Sequence, residues 1–72
     1  MQALINALKQ QRPLNELISI GENIANKGTR YAIICMELQH FKSRYNQYHQ
    51  RYIYILEDAI DYFYDRRSKT LT

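Results

Sequence analysis

Apolar residues recur along this chain at helical spacing from its first positions. Met1, Leu4, Ile5 and Leu8 fall three and four apart, which predicts a short amphipathic helix over about residues 2–11. Pro13 is poorly tolerated inside a helix but suits the first turn of the next one. Leu14, Leu17, Ile18, Gly21, Ile24 and Ala25 then mark one face of a second helix, about residues 13–27. Gly21 sits on that apolar face. It weakens a helix by roughly 1 kcal/mol relative to Ala, so its presence predicts close approach of a neighbouring helix. Lys27-Gly28 reads as a helix stop, with Gly28 free to take a left-handed conformation and Thr29 placed to cap the next helix.

From Thr29 to about Lys69 there is neither Pro nor Gly, and the large apolar and aromatic residues keep a seven-residue beat. Tyr31, Leu38, Tyr45, Tyr52 and Ala59 hold one position of the repeat. Ile34, Phe41, Tyr48, Ile55 and Tyr62 hold the position three further on, and Cys35, Leu56 and Phe63 widen the stripe. The pattern predicts one continuous helix over about residues 29–68, coiled-coil-like or bundle-forming. The expected fold is therefore all-α, a single domain over residues 1–72 with two short N-terminal helices packed on one long, Tyr-rich helix.

Length adds a constraint. A helix of about 38 residues extends roughly 57 Å, whereas a compact domain of this size has a radius of gyration of roughly 11 Å. The two short helices together would line only about 36 Å of it. Either a second chain covers the rest, giving a homodimer, or the helix breaks within "KSRYNQ", where Ser43 could cap a new start. The unbroken heptad beat favours the dimer. A chain of 72 residues also buries only about 60% of its unfolded surface, which makes a lone monomer marginal.

Composition narrows the setting. Cys35 is the single cysteine, so no disulfide forms within the chain, and a lone thiol suits a reducing compartment. "MQALINALKQ" lacks the basic start and apolar core of a signal peptide, and the longest apolar run, "YAIICM", is far short of the roughly 20 residues that span a bilayer. The expectation is a cytoplasmic protein with no membrane partner. The net charge of +3 is thinly spread and densest over residues 42–51.

Motifs that could carry chemistry are few. "GENIANKGT" superficially resembles a phosphate-binding loop, but its second Gly follows the Lys instead of preceding it, and no strand leads into it; a helix C-cap is the better reading. A helix-turn-helix would need base-reading side chains where "TRYAIICMELQ" is apolar. His40 and His49 are nine apart and do not share a helix face as metal ligands, and Cys35 lies on the apolar stripe, where a free thiol behaves as a buried hydrophobe. Glu57, Asp61 and Asp65 read as a solvated acidic row. No cofactor, no metal and no enzyme activity is expected.

The tyrosines carry the functional expectation. Six of the seven lie between residues 45 and 64. A dry core favours Leu, Ile, Val and Phe, whereas Tyr is enriched where a ring packs and its hydroxyl stays wet, as at protein interfaces. Tyr45, Tyr48, Tyr52 and Tyr62 on the seam, with Arg44 and Arg51 beside them, are the candidate partner-binding residues. The alternative role for these rings is the protein's own core, with hydroxyls at the rim. The expected function is a small regulatory protein that binds another protein without catalysis, as a stoichiometric inhibitor, adaptor or chaperone; small phage-encoded inhibitors and secretion chaperones have this size and class. A competing reading uses "HFKSRYNQYHQRY" (40–52), whose aromatics alternate with Lys42, Arg44 and Arg51, to contact single-stranded nucleic acid.

Overall fold

The computed structural model describes residues 1–45 and 50–70, all of its regular structure α-helical. α1 runs Gln2–Lys9, α2 Leu14–Asn26, α3 Tyr31–Tyr45 and α4 Gln50–Thr70. The two N-terminal helices fall within the limits that the apolar spacing sets for them. Both end in the same way. At the end of α1, Gln11 takes a left-handed conformation (φ 54°), with Gln11 N–H donating to Leu8 O at 3.1 Å and Arg12 N–H to Ala7 O at 3.0 Å. At the end of α2, Gly28 does so (φ 114°), with Gly28 N–H donating to Ala25 O at 3.0 Å and Thr29 N–H to Ile24 O at 3.3 Å. This paired bonding satisfies carbonyls that a helix end would leave orphaned. Pro13 follows the first stop, and its carbonyl accepts from Glu16 and Leu17 to open α2. α3 opens one residue later than a Thr29 cap would require, because Arg30 O accepts the first bonds, from Ile33 and Ile34.

The single long helix expected over residues 29–68 is instead two, α3 and α4, lying antiparallel against each other. Lys42 near the end of α3 pairs with Glu57 near the start of α4 at 3.2 Å, while Arg66 near the end of α4 reaches Tyr31 at the start of α3 at 3.1 Å. Ser43 is an internal residue of α3 and caps no new helix. Residues 46–49, between the two helices, lie outside the described residues. The physical reason for the reversal is burial: Ile34, Cys35, Leu38 and Phe41 of α3 share one core with Tyr52, Leu56, Ala59 and Phe63 of α4. Each half of the heptad stripe becomes the partner of the other. The chain is compact, with a radius of gyration of 11.4 Å and extents of 37 × 19 × 19 Å. The mismatch between helix length and domain size that called for a second chain is thus absent.

α2 packs against both α4 and α3, and α1 packs on α2 and adds Leu4, Ala7 and Leu8 to the core. The tightest joint is Gly21 against the fully buried Phe63. A Cβ at position 21 would lie 2.8 Å from Phe63 Cε2 and closer still to Cζ, inside any tolerable contact. The glycine on the apolar face of α2 is there because the ring of α4 occupies the space a side chain would need.

Candidate functional site

Three of the tyrosines on the heptad seam have hydroxyls committed within the chain. Tyr52 is buried, 6% exposed, and its hydroxyl donates to Arg12 O at 2.7 Å, tying the start of α4 to the α1–α2 link. Burial, with the charge of Glu16 adding to it, pushes this phenol up to about 12. Tyr31 and Tyr62 both donate to the Glu22 carboxylate, to Oε2 and Oε1 respectively, each at 2.8 Å. Arg66 completes the cluster. Its Nη2 donates to the Tyr31 hydroxyl at 3.1 Å, its guanidinium carbon sits 5.3 Å from the Tyr31 ring centroid, and its Nε lies 3.2 Å from Glu22 Oε1 as an ionic contact rather than an aligned hydrogen bond.

The cluster joins α2, α3 and α4 around one carboxylate. Partial burial by itself would raise the Glu22 carboxyl, but the two phenols and the Arg66 charge outweigh it and hold the group below its ordinary value. The Tyr62 phenol is raised, first by its hydrogen bond to Glu22. Beneath the cluster, Phe63 stacks on Tyr31 with centroids 6.1 Å apart and meets Tyr62 edge-on at 5.0 Å. Four polar side chains from three helices are tied together here, and Tyr31 also lines a cavity of about 710 Å³ with Ala25, Gly28, Thr29, Arg30, Ala32 and Arg67.

The remaining candidates are dispersed. Arg44 and Arg51 are exposed, and neither has an acidic partner among the described residues. Arg44 borders a cleft of about 310 Å³ between α1 and α3, lined also by Ile5, Lys9, Glu37, His40 and Phe41. The side chain of Tyr45 and all of Tyr48 and His49 lie outside the described residues. Among those described, no group of three His, Cys, Asp or Glu side chains is placed to hold a metal ion. Cys35 is buried, its Sγ 3.9 Å from Ile60 O, and desolvation raises the thiol against the opposing charge of Arg67, which makes it a poor nucleophile. None of the described helices is long and apolar enough to cross a membrane.

Large apolar side chains do reach solvent, but away from the seam. They are Ile33 (43% exposed), Met36 (51%), Tyr54 (71%) and Tyr64 (55%). A groove of about 560 Å³ runs between α3 and α4, lined by Gln39, Lys42, Ser43, Glu57, Ile60 and Asp61. Met36 lies one turn before Gln39 on α3 and Tyr64 one turn after Ile60 on α4, where the Arg67 guanidinium carbon sits 5.7 Å from the Tyr64 ring centroid. Heptad reasoning passed over Ile33 and Met36, because it follows only the stripe; the signal for them was an apolar residue on the polar side of "YAIICMELQ". Glu22 was missed as well, its role arising only when two tyrosines distant in sequence converge on it. No protein-family model matches the chain, and no curated protein or solved structure is significantly similar to it.

Proposed function

We propose that the protein is a non-catalytic protein-binding module, a small regulatory protein acting as a stoichiometric inhibitor, adaptor or chaperone, and that it engages its partner through the outer face of the α3–α4 hairpin. The observation that carries this reading is the exposure of four large apolar side chains on the hairpin, Ile33 and Met36 of α3 and Tyr54 and Tyr64 of α4. Large apolar side chains left exposed on a small helical domain have the make-up of an interaction surface. The free, buried thiol of Cys35 is in keeping with a cytoplasmic setting. Tyr31, Tyr52 and Tyr62 of the seam are engaged within the chain, so no second copy is needed to cover those three rings.

The test compares capture by the tagged protein with capture by Met36→Glu and Tyr64→Glu, each first shown to keep its helicity and melting temperature. Loss of the same captured protein in both variants, with retention in Arg44→Ala, supports the reading. Capture that ignores both face variants overturns it. A second reading, single-stranded nucleic-acid binding through residues 40–52, is favoured by the exposed Arg44 and Arg51, which have no acidic partner among the described residues. Its signature is binding that weakens steeply with added salt and falls further in Arg44→Ala with Arg51→Ala.

A further inference from the structure

The cavity of about 710 Å³ beside Tyr31 exceeds both the α3–α4 groove and the cleft between α1 and α3. It opens where the link between α2 and α3 meets the last turns of α4. Ala25, Gly28 and Ala32 bring nothing larger than a methyl group to its walls, which keeps the space open. Two charged side chains line it, and both are guanidiniums: Arg30 from the link and Arg67 from α4. No carboxylate is among its described walls. Glu22, which accepts from the Tyr31 hydroxyl, is already balanced by the charge of Arg66 at 3.2 Å. Arg30 is exposed and forms no ion pair among the described residues. Arg67 is steadied by the Tyr64 ring, 5.7 Å from its guanidinium carbon. These cations are side chains, independent of the loop motif that "GENIANKGT" fails to complete.

We infer that this cavity is a binding site for a small aromatic phosphomonoester, its phosphate held by Arg30 and Arg67 and its ring placed against Tyr31 and the alanine methyls. Two like charges around one cavity repel each other, and an anion between them relieves that repulsion while gaining charge-assisted hydrogen bonds. A phosphomonoester carries about two negative charges at neutral pH, which matches two guanidiniums. Their planar forks fit phosphate oxygens in pairs. Phosphate alone would leave most of the volume empty, and the volume falls within the roughly 300–1,000 Å³ usual for small-molecule sites. The Tyr31 ring gives the organic part an aromatic wall, and the Thr29 hydroxyl adds a hydrogen-bonding group. The inference goes beyond the protein-binding reading and does not depend on it.

The experiment titrates the isotope-labelled full chain with phenyl phosphate, inorganic phosphate and phenol, following the backbone amides of Gly28, Thr29 and Ala32 by NMR. Phenyl phosphate should give saturable shifts at these three positions and bind at least about tenfold tighter than inorganic phosphate. Phenol, with the ring but no charge, should give none. Arg30→Gln and Arg67→Gln should each weaken phenyl phosphate by about tenfold or more. Ala32→Leu should do the same by filling the space while leaving both charges in place, which separates a cavity from a bare pair of cations. Lys9→Gln, in the cleft beside α1, should change nothing. Each variant is first shown to keep its helicity and melting temperature, and Arg30→Gln on the exposed link decides the matter if Arg67→Gln disturbs the fold. The inference is overturned by unsaturable shifts, by inorganic phosphate binding as tightly as phenyl phosphate, or by affinity that ignores Arg30→Gln or Ala32→Leu. Capture of a protein through Met36 and Tyr64 can succeed or fail without altering any of these results.

Discussion

Tyr52 and Tyr54 stand two residues apart on one helix and play opposite parts. The first is buried with its hydroxyl held by Arg12 O at 2.7 Å; the second is 71% exposed. The same division separates Tyr62, bonded to Glu22, from Tyr64, which is 55% exposed. A helix turns about 100° per residue, so a shift of two positions carries a ring most of the way to the opposite face. Residue type alone therefore says little about whether these tyrosines bind a partner. The inner rings are fastened to carbonyl and carboxylate acceptors that fold-back brings to them, whereas the outer rings stay largely exposed, Tyr64 meeting only the Arg67 guanidinium over its face at 5.7 Å.

The contrast breaks most easily from the inside. Phe63→Ala should cost about 3–5 kcal/mol of stability in denaturant melts, since it empties the position beneath the tyrosine cluster. Gly21→Ala should cost about 1–3 kcal/mol despite its better helix propensity, because the new Cβ meets the Phe63 ring. Combining Gly21→Ala with Phe63→Leu should recover part of that loss relative to the sum of the two single changes. Full additivity would mean that the two positions do not touch.

The polar part of the inner region responds to pH. Glu22→Gln should lower stability by roughly 1–2 kcal/mol at neutral pH by weakening two phenol hydrogen bonds to a charged acceptor and one ion pair. Because the folded carboxyl lies below its ordinary value of 4.5, its stabilisation is complete above that value and is lost as pH falls through the lower folded value. Thermal melts between pH 6 and 3 should therefore show a steeper acid loss for the native chain than for Glu22→Gln. At the alkaline end the sign reverses. Tyr52 is raised to about 12 from an ordinary 10, so its contribution is intact below 10 and fades between 10 and 12. Tyr52→Phe should cost about 1 kcal/mol at neutral pH and should flatten that alkaline decline. The smallest effect belongs to the outer ring: Tyr54→Ala should leave stability within about 0.5 kcal/mol.

Much of the fold is legible in the residues. Pro13, Gly28 and the i, i+3, i+4 spacing delimit α1 and α2, and Gly21 on an apolar face announces a closely packed neighbouring helix, which proves to be α4 with Phe63. The reversal between α3 and α4 is not legible in the same way. No Pro or Gly interrupts residues 29–69, and a heptad stripe looks the same whether it faces another chain or folds back upon itself. The burial pattern explains the ambiguity, since nearly every seam residue described is in the core or packed against it. The seam tyrosines drew attention as an interface because a phenol needs an acceptor. Here the acceptors are Glu22 and Arg12 O, supplied by segments at least nine residues away in sequence. The outer face was harder to see, since Ile33 and Met36 belong to no repeat and stand out only when the core is already assigned.

The division into inner and outer tyrosines depends on the antiparallel return of α4 along α3. Spin labels at Gln39→Cys and Asp61→Cys, in a Cys35→Ala background and diluted with unlabelled chain, measure that return directly. Both positions line one groove, so the expected result is strong short-range coupling, with labels held on helices about 10 Å apart. A distance distribution centred near roughly 33 Å, the span of 22 residues in one straight helix, would contradict it and return the tyrosine seam to the surface.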